Sequence, residues 1–193
     1  MLELPESKFI LGRLAKELAP NLHYHMVKHT LDVYNNAAYL AEKEVIDTEE
    51  KKIVLIAALY HDSGYLYQSE GHEAVSCKIA REVLPNYKYN DADIDKICRI
   101  IMATRLPQNP HSKPEEIICD ADLDYLGRAD FFEIGHGLYL EMLDAGKVTN
   151  EDEWNRLQIN FMQQHNYFTQ TSQQLRNAKK QENLNILLSQ TTL

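Results

Sequence analysis

The chain has 193 residues, of which 44% are hydrophobic, and this is enough for one domain with a substantial core. Its 29 acidic residues against 20 lysines and arginines give a formal net charge of -9, which argues against broad binding of nucleic acid or of an anionic membrane. No apolar run is long enough for a membrane span, and the N-terminus does not have the basic-then-apolar order of a signal peptide. We therefore expect a cytoplasmic protein without membrane or nucleic-acid partners.

The first half of the chain is predicted to be a series of helices separated by prolines and capping residues. The first helix ends before Pro20, and the second is predicted over about residues 24–44. Asp47 and Glu50 form a capping box for the third helix. A fourth helix begins near His72, and a fifth is predicted between Asn90 and Pro107.

The second half continues the same helical pattern. Ser112 and Glu115 are predicted to form another capping box, for a sixth helix that contains an Asp-Ala-Asp sequence. Two further helices are predicted over about residues 131–143 and 150–188, the latter broken near residues 169–172. The whole of residues 1–193 is thus predicted to be one all-α domain, a helical bundle of about seven to nine helices, with the C-terminal helices packed on the rest.

An adjacent imidazole and carboxylate, His61 and Asp62, end the third predicted helix. Residues 53–59 before them are apolar on every side of the helix, which indicates that this helix is buried. An Asp at the end of a buried helix rarely lacks a partner such as a metal or another charge. This pair is the first candidate for a functional site.

Other candidates lie on neighbouring predicted helices. His25 and His29 are four residues apart, so their rings share one helix face, where they either bind a metal or are merely solvated or hydrogen-bonded. In the sixth helix, Asp122 lies roughly 70° from the centre of the apolar face, and Asp120 roughly 90 to 130° away. Imidazole and carboxylate together suit Mn, Fe, Co, Ni or Zn, with Mg as an alternative, and we expect one divalent ion per chain.

The order of these motifs resembles the HD superfamily of metal-dependent phosphohydrolases, whose defining pattern is H…HD…D. The residues that carry the resemblance extend over about residues 20–145, and they are His29-Thr30, His61-Asp62-Ser63-Gly64-Tyr65, His72-Glu73 and Asp120-Ala121-Asp122 with the residues after it.

The resemblance implies an all-helical fold and a metal held by His29, His61, Asp62 and Asp122. In this family the metal polarises a phosphoryl oxygen and supplies hydroxide by lowering the pKa of bound water. Asp120 is the alternative fourth ligand, or a partner of a ligand. His61, Asp62, Asp120 and His72 are therefore the candidate catalytic residues.

One departure from a related branch of the family bears on the number of metals. The dinuclear HD-GYP branch has further histidines, where this chain has Ile101-Met102-Ala103-Thr104-Arg105. A single-metal site is therefore expected. His72 is predicted either to contact the substrate or a second ion, or simply to begin its helix.

Substrate binding is expected to use cations and a histidine near the metal. Arg105 and Arg128 offer bidentate forks for phosphate, Lys28 offers a point charge, and His25 is the additional candidate. His165 lies beside an apolar helix face, where it is interpreted as a core histidine, with a place in the site as the alternative.

The prediction is a phosphohydrolase that cleaves a phosphoester or phosphoanhydride of a small phosphorylated substrate, a nucleotide in particular. The alternative is a regulatory module that keeps the metal site and binds a nucleotide without turnover. The sequence does not fix the oligomeric state, and exposed aromatic residues leave a homodimer open.

Overall fold

A computed structural model describes residues 1–190, and within them it contains nine α-helices and no β-strand. The all-α prediction of about seven to nine helices is confirmed over this range, and residues 191–193 of the predicted domain lie outside it. No helix in the described part combines the length and apolarity needed to cross a membrane. The helices are α1 (Pro5–Glu17), α2 (Val27–Lys43), α3 (Thr48–Tyr60), α4 (His72–Val83), α5 (Asp91–Ala103), α6 (Lys113–Asp122), α7 (Phe131–Asp144), α8 (Glu151–Gln164) and α9 (Gln170–Gln190).

The structure confirms the predicted N-cap bond of Asp47 at the start of α3, whereas the capping box predicted for Ser112 and Glu115 is wrong. The side chain of Asp47 accepts a hydrogen bond from the backbone N of Glu50 at 2.8 Å. Ser112 makes no such bond to the backbone of α6. Instead, Glu115 Oε2 accepts from the backbone N of His111 at 2.7 Å, so its carboxylate reaches one residue further back than a capping box requires.

Two predicted helix boundaries shift because distant carboxylates bind the local backbone. α2 begins at Val27 rather than near residue 24, since Glu141 accepts hydrogen bonds from the backbone N atoms of Tyr24 and His25. The break in the last helix lies at residues 165–169 rather than 169–172. Here Asp120 accepts from the backbone N atoms of Phe168 and Thr169, which keeps these residues out of α8 and α9.

The interior consists of two hydrophobic clusters of different character. The larger one is built from α1 to α6 and is dominated by Ile, Leu and Ala. The smaller one joins the region after α6 to α7, α8 and α9, and it includes aromatic side chains. Its buried members are Tyr24, Leu123, Tyr125, Leu126, Phe131, Ile159, Met162, Leu184 and Leu187. The candidate ligands described next lie where the two clusters adjoin.

Candidate metal centre

Three helices deliver the predicted metal ligands to one point. His29 lies in the first turn of α2, and His61 directly follows α3. Asp62 comes next in the chain, and Asp122 is the last residue of α6. These helices pack against one another through the larger core, so residues far apart in sequence meet at their ends.

The ligand atoms are close enough to share one ion. One atom each from His29, His61 and Asp122 lies within 4.8 Å of the other two. Asp122 Oδ1 is 3.2 Å from His29 Nε2 and 3.5 Å from His61 Nε2. Asp62 Oδ2 is 3.3 Å from His29 Nε2 and 3.2 Å from His61 Nε2. Two imidazoles are thus flanked by two carboxylates, the donor set that was predicted.

Several of these atoms are buried without a hydrogen-bond partner in the described part of the chain. They are Nε2 of His29, Nε2 of His61 and Oδ2 of Asp62. Leaving a buried polar group unsatisfied costs about 1–3 kcal/mol. Unpaired nitrogen and oxygen atoms that face each other at these distances therefore fit a divalent transition ion, which binds imidazole nitrogen and carboxylate oxygen.

Hydrogen bonds fix the orientation of His61. Its Nδ1 donates to the backbone O of Ala58 at 2.8 Å, which leaves the lone pair of Nε2 directed at the centre. Ser76 supports the same turn from α4, since its Oγ donates to the backbone O of His61 at 2.6 Å and accepts from the backbone N of Gly64 at 2.8 Å. A Cβ on Gly64 would lie 2.0 Å from the backbone O of His72, so only glycine lets α4 approach this closely.

The two carboxylates make the centre favourable for a positive charge, either a metal ion or protonated imidazoles. Burial by itself lowers the pKa of His29, but Asp122 and Asp62 outweigh burial and raise the pKa to about 9. The pKa of His61 is raised well above its ordinary value by the same two carboxylates against the same opposing burial. Burial raises the pKa of Asp122, yet the two imidazoles lower it to about 2. Without a metal, the two carboxylates stabilise the protonated form of both imidazoles. A bound divalent cation would supply the positive charge in place of these protons.

His72 adjoins the centre as well as beginning α4. Its Nδ1 donates to the backbone O of Ser69 at 2.9 Å, and its Nε2 lies 3.2 Å from Asp62 Oδ1. Asp62 therefore directs one oxygen toward the two candidate ligand imidazoles and the other toward His72. Both interpretations of His72 are compatible with this position, and a contact with substrate stays a prediction.

His25 is held beside the centre by a residue that the sequence did not indicate. Glu141 of α7 accepts from His25 Nδ1 at 2.5 Å. On the other edge of the ring, the hydroxyl of Tyr65 donates to His25 Nε2 at 3.0 Å, and the two rings stack with centroids 4.0 Å apart. His25 thus lies in the wall of the site, and its nitrogens are occupied by protein groups.

Asp120 and Asp122 point in different directions. The carboxylate of Asp120 is fully buried and accepts three hydrogen bonds from the segment between α8 and α9, including one from Thr169 Oγ1 at 2.6 Å. Burial raises the pKa of Asp120, although these bonds partly oppose the rise. Asp120 therefore anchors the C-terminal helices, while Asp122 faces His29 and His61.

The four predicted substrate-binding residues lie around two cavities. Arg105 and His25 line a cavity of about 520 Å³ that also contains Asp62, His72 and Asp122. Lys28 and Arg128 line a neighbouring cavity of about 700 Å³ on the other side of His29.

Arg128 and Arg105, both predicted to bind phosphate, differ in whether other side chains already neutralise them. Arg128 is paired with Asp32 at 2.7 Å and with Asp130 at 2.6 Å. Among residues 1–190, Arg105 makes no ion pair. Arg105 is therefore better placed than Arg128 to meet an anion. Substrate binding by Arg105, Arg128, Lys28 and His25 stays a prediction.

His165 lies apart from the centre. Its ring is buried, neither nitrogen has a hydrogen-bond partner among the described residues, and it does not line the cavity that contains Asp62. Burial, with a smaller contribution from the positive charge of Lys180, lowers the pKa of His165 to about 3. Its surroundings are those of a neutral core histidine.

The residues that sequence reasoning missed come mainly from α7, α8 and the segment between them. Glu141 and Lys147 both belong to this group, and Tyr65 was named only as part of the motif. No periodic pattern in the sequence indicates that these residues line the site. The one available signal was Glu141 itself, a single charged residue among the apolar residues and glycine at 137–143.

Comparison with known proteins agrees with this geometry. The HD domain family matches residues 26–124, which include all four candidate ligands. Over 84 residues the chain is 36% identical to an uncharacterised protein of Clostridium beijerinckii, a stretch that covers 42% of this chain and 53% of that protein. This chain thus spans about half the length of that relative.

A solved structure resembles the fold along nearly the whole chain. The crystal structure of a predicted HD superfamily hydrolase from an uncultured Thermotogales bacterium superposes with a TM-score of 0.63 at 19% identity, and the match covers 98% of this chain and 91% of that one. The likeness extends through α7, α8 and α9, beyond the residues that the family match includes. Together with the position of the H…HD…D residues, the match over residues 26–124 shows that the chain belongs to the HD domain family.

Proposed function

We propose that the protein is a metal-dependent phosphohydrolase that cleaves a phosphoester or phosphoanhydride bond of a small phosphorylated substrate, in particular a nucleotide. The observation that carries this proposal is the meeting of two unpaired imidazole nitrogens with the carboxylates of Asp62 and Asp122. Both carboxylates line a cavity of about 520 Å³, a volume suited to a small ligand. The Thermotogales protein of similar fold is itself a predicted hydrolase, which agrees with this proposal.

His29, His61, Asp62 and Asp122 would hold one divalent ion. When bound, such an ion supplies Lewis acidity for a phosphoryl oxygen and a lower pKa for a coordinated water. The protein's part is to fix the donor atoms beforehand, and the hydrogen bond from His61 Nδ1 to Ala58 does this for one imidazole.

Groups around the ion would orient the substrate and handle protons. Arg105 lines the cavity and is exposed, so its guanidinium is free to bind a phosphate oxygen. His72 has its Nδ1 bound to Ser69 and its Nε2 beside Asp62 Oδ1, a position from which the imidazole is able to contact a substrate oxygen. A covalent enzyme intermediate is not required, because water is the attacking group in this proposal.

The test has a metal arm and a substrate arm. Purified protein is expected to retain about one divalent transition ion per chain, because the donors are preorganised. Mono-, di-, tri- and cyclic nucleotides are then incubated with protein that has been treated with chelator and reloaded with Mn, Co, Ni, Zn or Mg. Phosphate or pyrophosphate release that disappears with chelator and returns with an ion supports the proposal.

The alternative function predicts a different result in the same assay. If every compound stays intact with each ion while one of them binds tightly, the protein is a regulatory HD module and the hydrolase proposal fails. Arg105→Ala adds a second criterion, since it should weaken turnover and leave the metal bound. Loss of metal in that variant would contradict the role given to Arg105.

A further inference from the structure

The cavity that contains Asp62 and Asp122 continues into an apolar chamber formed by α7 and α8. Leu138 and Met142 of α7 line it, together with Trp154, Leu157, Phe161 and Met162 of α8. We call these six residues the α7–α8 chamber. All of them lie outside the part of the chain that the HD domain family matches, residues 26–124.

The chamber is preformed rather than assembled from loose surface groups. Trp154 and Met162 are 5% and 2% exposed, and Met162 belongs to the smaller hydrophobic core. Phe161 packs on the same core, whereas Leu157 is 44% exposed although it lines the cavity. The chamber thus combines buried aromatic and apolar side chains with one leucine that is accessible to a ligand in the cavity.

One polar side chain stands among these apolar residues. Gln158 lines the cavity and is only 9% exposed. Its Nε2 makes one long hydrogen bond to Asn155 Oδ1, 3.4 Å, and a Cβ on Gly135 would lie 3.1 Å from its Oε1. Glycine at position 135 therefore makes room for the amide, which keeps hydrogen-bonding capacity for a ligand.

Two cations also line the cavity that contains the chamber. Lys147 and Arg105 both line it, both are exposed, and neither forms an ion pair within residues 1–190. One continuous cavity thus offers two carboxylates of the candidate metal centre, Asp62 and Asp122, two cations, and an aromatic and apolar end with one amide.

From this juxtaposition we infer that the α7–α8 chamber binds the heterocyclic base of a nucleotide whose phosphate lies at the metal centre. The inference rests on the proposed function for the position of the phosphate. Aromatic side chains stack on the planar face of any base, and an amide pairs with the hydrogen-bonding edge of a base. An alkyl group would leave the remaining hydrogen-bonding capacity of the Gln158 amide unused, which makes an aliphatic phosphate the poorer occupant.

The single tryptophan of the chain gives a direct readout of the chamber. Trp154 is the only tryptophan, so fluorescence excited at wavelengths that tyrosine does not absorb reports on this wall alone. Metal-loaded protein is titrated with adenosine, guanosine, cytidine and uridine, which carry a base and no phosphate, and separately with ribose 5-phosphate, which carries a phosphate and no base. A saturable change of Trp154 fluorescence with at least one nucleoside, absent with ribose 5-phosphate, is expected.

Two variant pairs locate the binding site. Phe161→Ala should weaken nucleoside binding about tenfold, which corresponds to the loss of one stacking partner. Phe132→Ala makes the same truncation on α7 outside the cavity and should leave binding unchanged. Leu157→Glu and Leu175→Glu form the second pair, because the two leucines are 44% and 46% exposed and only Leu157 lines the cavity. Because both leucines are exposed, we expect both variants to fold, so this pair tests the inference even if Phe161→Ala does not fold.

The outcomes separate this inference from the proposed function. No fluorescence response to any nucleoside, or equal weakening in Leu157→Glu and Leu175→Glu, overturns the chamber as a base site, whether or not phosphate is released in the hydrolysis assay. Nucleoside binding that Leu157→Glu abolishes supports the chamber even if no nucleotide is hydrolysed, in which case the hydrolase proposal alone fails.

Discussion

The region from α2 to α6 and the region from α7 to α9 contribute in different ways to the same cavity. The first supplies all four candidate metal ligands at helix ends that a large aliphatic core holds in place. The second supplies none of these ligands, but it forms the apolar end of the cavity and orients His25 through Glu141. We therefore propose that the first region holds the metal and the second binds the base, and changes in one region should leave the role of the other intact.

The largest expected effect concerns the metal-binding region. His61→Ala removes one of the two unpaired imidazole nitrogens, and we expect metal content to fall to less than about a tenth of the wild-type value, in line with the loss of a preorganised ligand. Metal analysis of the purified variant, alongside the hydrolysis assay, measures this. His136→Ala on α7 is the matched control, since His136 is exposed and lines neither cavity beside His29. Full metal occupancy in His61→Ala would disprove the site.

The two aspartates of the Asp-Ala-Asp sequence should respond in opposite ways. Asp122→Asn is expected to lose the metal and to keep its fold. Asp120→Asn is expected to keep the metal and to lower the free energy of unfolding by about 1–3 kcal/mol, because its amide would oppose backbone N–H donors of the segment before α9. Metal analysis and denaturant unfolding of both variants test this. Metal loss in Asp120→Asn but not in Asp122→Asn would exchange their roles.

His165 provides a pH-dependent test of packing in the C-terminal region. Its pKa is lowered to about 3 in the folded chain from the ordinary 6.5, so between these values the unfolded chain binds a proton that the folded chain does not. Stability should therefore decline as pH falls below 6.5. Between pH 7 and pH 5 the wild type is expected to lose on the order of 1–2 kcal/mol more than His165→Gln.

Unfolding curves at the two pH values, with metal content held constant, provide this comparison. The Gln variant is the suitable reference because its side chain does not titrate. An identical pH dependence in both proteins would show that His165 is not buried as a neutral imidazole.

The smallest effect concerns the connection between the two regions. Glu141→Gln keeps one oxygen to accept from the backbone N atoms of Tyr24 and His25, but it replaces the charged acceptor of His25 Nδ1 by an amide NH2. We expect the free energy of unfolding to fall by about 1 kcal/mol, with metal content unchanged. Thermal or denaturant unfolding measures the first effect and metal analysis the second. A variant that releases the metal would show that Glu141 supports the centre itself and not only its wall.

The two regions also differed in how far the sequence predicted them. His61-Asp62 at the end of a fully apolar helix, and the choice of Asp122 over Asp120, pointed to residues that the structure brings together. Helix periodicity is a local signal, and it placed Asp122 further inward than Asp120, whereas the structure buries Asp120 completely and leaves Asp122 partly exposed. The contact of Glu141 with the loop before α2, and that of Asp120 with the loop before α9, join residues about fifty to more than one hundred positions apart, and no local pattern encodes them.

Charged residues show the same limit. Arg105 and Arg128 looked equivalent in the sequence, since Arg105 ends the fifth predicted helix and Arg128 follows the sixth. In the structure Arg128 forms ion pairs with Asp32 and Asp130. Arg105 lines the cavity and forms no ion pair within residues 1–190. The partners of a long, flexible cation depend on tertiary packing, which periodicity does not report.

Attack of water on phosphorus at the centre formed by His29, His61, Asp62 and Asp122 is tested by hydrolysis of the best nucleotide substrate by metal-loaded protein in water enriched in ¹⁸O, with both products analysed by mass spectrometry. Solvent oxygen enters the product that contains the attacked phosphorus, and the leaving group carries none. We expect one solvent oxygen per bond cleaved, on phosphorus of one product, and no reaction with chelator or with His61→Ala. Products that carry no solvent oxygen on phosphorus, or equal turnover by His61→Ala, would disprove this reaction.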